Sequence, residues 1–172
     1  QAIMDFGAVQ CTPQSPNCLF CPLSGSCRAL SEGKVQQLPV KQHRTKTTNR
    51  YFNYIYVRMG AHTLIHKRTE DDIWKNLFEL PLVETEKDLS EEEFLACPQF
   101  HALFAEGEVR MVRTLLRGVK HVLSHRVIYT NFYEVTLPDN SSSFSSYQRV
   151  AVEDLGRYAV PRLIHAFLEK YV

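Results

Sequence analysis

Four of the five cysteines fall close together: Cys11, Cys18, Cys21 and Cys27, separated by six, two and five residues. Thiolates this near in sequence can converge on one inorganic centre, and Pro13, Pro16, Pro22 and Gly25 supply the turns that convergence needs. Disulfides are the simpler alternative, disfavoured because no secretory leader is visible and a fifth cysteine has no mate. Structural zinc competes more seriously, but four-cysteine zinc sites usually show two close pairs, and here Cys18 and Cys21 form the single one. The chemistry favours iron–sulfur over zinc and leaves both open.

Other residue types that could do chemistry are scattered. Ser124 and His125 adjoin, and neighbours in a strand point to opposite faces, so they make a poor catalytic dyad. His62 and His66 would lie ~13 Å apart in a strand and cannot share a metal. Glu91, Glu92 and Glu93 follow Ser90. Contiguous residues spread around a helix and cannot all aim at one ion, so this reads as the acidic first turn of a helix favoured by its dipole. Metal-dependent pyrophosphate hydrolysis is therefore not expected. Cys97 reads as a small buried hydrophobe and Trp74 as core.

The elements that must position these residues form three pieces. Residues 1–34 hold a short helix, with Ile3 and Phe6 three apart and Gly7 expected to close it, followed by the cysteine cluster. Residues 35–49 are polar and basic, a linker composition carrying Lys41, Arg44 and Lys46. Residues 50–172 read as a compact α/β domain. Tyr51 to Arg58 and Ala61 to His66, with a turn at Met59-Gly60, predict a hairpin. Leu77 to Val83 is a strand broken by Pro81. Ser90 and Glu93 form a capping-box pattern. Val119 to Leu137 carries the strongest β signal, with a turn near Ser124 or Asn131. Asp139 to Ser146 reads as a flexible polar loop. Pro161 opens a terminal helix with an apolar face of Leu163, Ile164, Phe167 and Leu168.

Composition is that of a globular protein, 44% hydrophobic and 23% charged. No apolar run approaches the ~20 residues that span a bilayer. The net charge of +1 conceals segregation: six basic against two acidic residues over 1–50, five against ten over 51–105, and five against two over 106–126. Two basic stretches flanking an acidic one suit contact with a polyanion, or equally a solvated mixed-charge surface. The chain begins at Gln1 inside an apolar-periodic segment, which reads as a piece of a longer protein.

The cysteine spacing, after a helix carrying Gln1-Ala2-Ile3-Met4-Asp5-Phe6-Gly7-Ala8 and with Cys11-Thr12-Pro13 and Cys21-Pro22-Leu23, resembles the 4Fe–4S loop of the endonuclease III and MutY glycosylase superfamily. The length after the cluster favours the MutY-type adenine DNA glycosylases. Their Nudix-like C-terminal domain is resembled by Leu38-Pro39-Val40-Lys41, by Trp74 to Pro81, by Lys120-His121-Val122-Leu123-Ser124-His125 and by Tyr158 to Pro161. The resemblance implies a Nudix-like mixed sheet with flanking helices over 50–172, preceded by the end of a helical catalytic domain with its cluster loop over 1–34. It implies a 4Fe–4S cluster on Cys11, Cys18, Cys21 and Cys27, absent or replaced by zinc if this piece is isolated. In the family the loop between the first two cysteines meets the DNA backbone through basic residues; here residues 12–17 hold none, leaving Gln14, Asn17 and backbone amides as donors.

By the same resemblance, Leu123-Ser124-His125 is the turn that reads 8-oxoguanine opposite adenine, with Lys120 and His121 beside it. Leu123 stands where the family has phenylalanine. Oxidation makes guanine N7 a donor and adds a C8 carbonyl, and a serine hydroxyl can accept from one and donate to the other. The family's catalytic carboxylates lie upstream, so no catalytic residue is expected in this chain. The expected partners are double-stranded DNA with 8-oxoguanine:adenine mispairs and a repair or replication protein at the linker, with no membrane. The expected location is cytoplasmic and nucleoid-associated in a bacterium, or nuclear in a eukaryote. Two further hypotheses remain: a noncatalytic zinc-bearing module that binds DNA or protein, and a degenerate Nudix fold acting on free nucleotides.

Overall fold

A computed structural model describes residues 1–12, 14–38 and 47–172. Pro13, part of the expected cluster turns, and the linker residues Lys41, Arg44 and Lys46, with the Pro39-Val40-Lys41 landmark, lie outside the described residues. The chain divides into two compact units, Gln1–Lys46 and Thr47–Val172.

In the first unit, helix α1 spans Ala2–Gln10 and α2 spans Arg28–Ser31. Gly7 does not close α1: its carbonyl accepts a hydrogen bond from the Cys11 amide at 3.2 Å, so the helix continues through it. None of the residues of α1 is buried within the chain, and Ile3 and Val9 are over four-fifths exposed.

The second unit has seven strands: β1 Thr48–Arg58, β2 His62–Lys67, β3 Phe78–Glu79, β4 Leu82–Thr85, β5 Met111–Val122, β6 Arg126–Thr136 and β7 Gln148–Ala151. Three helices accompany them: α3 Glu91–Leu95, α4 Pro98–His101 and α5 Arg162–Tyr171. One sheet runs β4-β1-β6-β5 and a second runs β3-β2-β7. β1 and β6 pair in parallel and the other pairings are antiparallel, giving the mixed sheet expected of the fold. Thr48 and Asn49, read as linker, pair with Arg126 and Val127 and belong to β1. The expected β1–β2 hairpin closes only at the Met59–His62 bridge; beyond it the two strands enter different sheets. Pro81 similarly divides β3 from β4, because proline has no amide to donate to a ladder.

Alternation along β1 and β6 explains the two cores. Phe52, Tyr54, Tyr56, Ile128 and Phe132 face one side, where α5 lays Leu163, Ile164 and Phe167. The Phe132 and Phe167 rings stack at 4.1 Å with their planes 4° apart. Ile55, Val57, Tyr133 and Val135 face the other side, against Phe94 of α3 and Phe100 of α4. Each fully buried aromatic or aliphatic side chain contributes about 1.5–3 kcal/mol. Asn131 is no turn residue. It lies buried in β6, where its Nδ2 donates to Asn53 Oδ1 at 3.0 Å and its Oδ1 accepts from the Gly118 amide at 2.9 Å. Gly118, at φ +68°, sits where the β5–β6 register slips between Leu116 and Val119. Ser90 and Glu93 form the expected capping box on α3. The 139–146 loop is tethered rather than free, since Ser141, Ser142 and Ser143 all bond the Glu108 carboxylate and Phe144 is buried. Among the described residues no helix is long and apolar enough to cross a membrane.

Candidate functional site

Two places gather the residues that the sequence singles out. In the first unit Cys11 caps α1, and Gln10 closes the following loop by donating to the Asn17 carbonyl at 2.5 Å. Short 3-10 turns at Cys18–Phe20 and Ser24–Ser26 then return the chain, with the Cys21 amide on the Cys18 carbonyl at 3.2 Å and the Cys27 amide on the Ser24 carbonyl at 3.3 Å. The result brings Cys11, Cys18, Cys21 and Cys27 to the wall of one cavity of about 40 Å³, and none of them is in a disulfide. Among the described residues no three Cys, His, Asp or Glu side chains converge on a single ion. The cavity is thus lined by four soft thiol donors, the donor type that both iron–sulfur and zinc centres use. Gln14 and Asn17 are exposed on the same loop. Cys97 is half-buried against the second core.

In the second unit β5 and β6 form a long hairpin whose turn is Leu123-Ser124-His125, closed by the Leu123 amide donating to the Arg126 carbonyl at 2.8 Å. Ser124 and His125 are exposed in the turn rather than in a strand, so strand alternation does not govern them; among the described residues no hydrogen bond joins the two. Leu123 is half-buried against the first core. Lys120 is exposed, with its ammonium 6.0 Å from the Tyr129 ring centre, and Tyr129 stacks on Tyr51 at 5.4 Å. His121 points to the opposite face, its ring 5.8 Å from that of Trp74. Trp74 also packs edge-on against Phe52 at 6.1 Å, so it is both core and a wall of the hairpin. His62 and His66 meet different partners, Arg149 at 3.4 Å and Glu79 at 3.4 Å.

One cluster escaped the sequence. Asp72 receives Arg50 at 2.6 Å, Arg68 at 3.1 Å and Arg126. Arg50 is forked onto Glu84 with both bonds at 2.6 Å, and Arg68 onto Glu79 with both at 2.8 Å. Burial alone would raise the Asp72 pKa, but hydrogen bonds from Arg50 and Arg126 outweigh it and hold the carboxyl well below its usual range. Trp74 and Asn76, two and four residues on, adopt left-handed φ of 59° and 70°. Apart from the Arg68–Asp72 spacing of four, the partners are 22 and 54 residues from Asp72, so no local pattern announces them.

The acidic run forms the first turn of α3. Glu93 accepts from the Ser90 amide at 2.8 Å to close the capping box, and Glu91 and Glu92 lead the same turn.

A family model described as NUDIX domain matches residues 53–170. The adenine DNA glycosylase of Buchnera aphidicola subsp. Schizaphis graminum is 36% identical over 85 residues, covering 49% of this chain and 24% of that protein. The adenine DNA glycosylase of subsp. Acyrthosiphon pisum is 26% identical over 174 residues, covering 99% of this chain and 47% of that protein. The chain thus spans less than half the length of these relatives. The C-terminal domain of mouse MUTYH, solved in complex with human PCNA, superposes with a TM-score of 0.57 at 14% identity, covering 71% of this chain and 86% of that one, a likeness of fold. A match that runs from residue 53 to 170, over more than half of the chain, places the chain in the NUDIX domain family.

Proposed function

We propose that the protein is the C-terminal part of an adenine DNA glycosylase that removes adenine opposite 8-oxoguanine or guanine. This part supplies an iron–sulfur centre and lesion reading, while the carboxylates of excision belong to the rest of the parent. The observation that carries the reading is four free thiols around one cavity in the same chain as a NUDIX domain. Cys11, Cys18, Cys21 and Cys27 would hold a 4Fe–4S cluster, which when bound acts as a structural cross-link of the loop. Gln14, Asn17 and backbone amides of that loop would donate to phosphate oxygens. At the hairpin, the exposed Ser124 hydroxyl would accept from N7–H of 8-oxoguanine and donate to its C8 carbonyl, a pairing that guanine cannot offer. Lys120 would add a phosphate contact. The polar linker, residues 35–47, would dock a repair or replication partner, the kind of protein that human PCNA is for the C-terminal domain of mouse MUTYH.

The test is anaerobic purification followed by iron, sulfide and zinc analysis and duplex binding. About four irons and four sulfides per chain, with absorbance near ~400 nm, are expected. Zinc without sulfide would favour the zinc-bearing binding module instead. The chain should bind an 8-oxoguanine:adenine duplex more tightly than an undamaged one, with affinity falling as salt rises, and should release no abasic product from it. Appearance of abasic product would overturn the assignment of excision to the rest of the parent. Hydrolysis of free oxidised nucleotides, with no duplex preference, would favour a nucleotide-acting fold.

A further inference from the structure

We propose that the loop from Arg68 to Leu77 is a clamp on both strands of the β5–β6 hairpin, and that Asp72 is the residue that positions the Ser124 turn, acting through Arg126. The inference rests on the lesion-reading role proposed for that turn.

Arg126 is the first residue of β6 and follows His125 directly. Its carbonyl closes the turn by accepting from the Leu123 amide at 2.8 Å, and its guanidinium is bonded to Asp72. One residue therefore links the turn's backbone to the loop. Two residues further along the loop, the Trp74 ring meets His121 of β5 at 5.8 Å. The loop thus grips β6 through an ion pair and β5 through an aromatic contact. It is itself held rigid: Arg68 donates to the Ile73 carbonyl at 3.0 Å and to Asp72 at 3.1 Å, and Trp74 and Asn76 are kept at left-handed φ, a conformation that persists only where the surroundings impose it. Arg50, fixed by Glu84, anchors the same carboxylate to β1.

Charge makes the arrangement testable. Arg50, Arg68 and Arg126 are balanced by Asp72, Glu79 and Glu84. Replacing Asp72 by Asn removes a negative charge beneath a surface meant for a polyanion, so general affinity for DNA should hold or rise while the turn loses its fixed geometry. A residue needed merely for folding would lower both together.

The experiment uses the 172-residue chain and its Asp72→Asn, Arg126→Met, double and Ser124→Ala variants. Affinities for 8-oxoguanine:adenine and undamaged duplexes, thermal melting, and amide hydrogen exchange at residues 123–126 are measured. Ser124→Ala is expected to cut the preference for the lesion about 5- to 150-fold. Asp72→Asn and Arg126→Met should each lower it about tenfold, with undamaged-duplex affinity not weakened in Asp72→Asn. The double variant should lose no more than either single one, because both act through one contact. If Ser124→Ala cuts the preference while the other two retain both the preference and slow exchange, the clamp is overturned and the turn's role stands. If Ser124→Ala keeps the preference, the lesion-reading role fails, and the clamp stands or falls on faster or unchanged exchange at 123–126. Should Asp72→Asn fail to fold, Arg126→Met, which removes one arm of the network, decides by the same readouts.

Discussion

The Glu108 carboxylate accepts hydrogen bonds from the Ser141 and Ser143 hydroxyls, both at 2.5 Å, and from the Ser142 amide, which together hold its pKa down to about 2 against an ordinary 4.5. A carboxyl depressed on folding adds stability above its unfolded pKa and gives it up as pH falls towards the folded one. Loop 139–146 should therefore loosen between about pH 4.5 and 2, and Glu108→Gln should remove that dependence when amide exchange of the loop is followed against pH. At the hairpin, Ser124→Ala should cut preference for the oxidised base about 5- to 150-fold, the equivalent of about 1–3 kcal/mol. Lys120→Ala should instead weaken damaged and undamaged duplexes alike and lower the slope of affinity against salt by about one. Competition binding at several salt concentrations separates the two. Residues of this kind were legible to different degrees. The cysteines stand within one short stretch, so their spacing is visible at once, whereas Ser124-His125 stands out through the family resemblance alone. Glu108 works through Ser141, 33 residues away, and Asp72 through Arg50 and Arg126, 22 and 54 residues away, which only the folded chain brings together.

The elements were read best where a local rule suffices. Ser90 and Glu93 declare the start of α3, and Ser90→Ala should cost about 1 kcal/mol in thermal melting. The apolar face of α5 is likewise periodic and visible, with Leu163, Ile164 and Phe167 all buried. Asn131 misled because an asparagine in an apolar run looks like a turn, yet here it bonds Asn53 and the bulge at Gly118. Asn131→Leu would strand the buried Asn53 Oδ1 and remove the acceptor of the Gly118 amide. Each buried polar group left unpaired costs about 1–3 kcal/mol. Unchanged stability in denaturant unfolding would show that these bonds contribute nothing. Gly7 misled in the opposite sense: a glycine near a helix end suggests a stop, but hydrogen bonding carries α1 on to Gln10.

At the scale of the molecule, the α/β class followed from the order of β and helical patterns and the mixed sheet from the family resemblance, whereas the division into two sheets followed from neither. A tight turn at Met59-Gly60 looks the same whether the strands it joins pair or part. The fold depends on α5 covering one face of the sheet, and Phe167→Ala, which empties the stack on Phe132, should cost about 3–5 kcal/mol in unfolding. The slip in β5 between Leu116 and Val119 carries a further consequence, because β5 is an outer strand twelve residues long. Such a margin invites another copy of the chain to zip onto it and seed precipitation. The interruption at Gly118 and the outward charges of Arg113, Arg117 and Lys120 deny it a straight, neutral template, so a chain with this open margin can remain dispersed at working concentration.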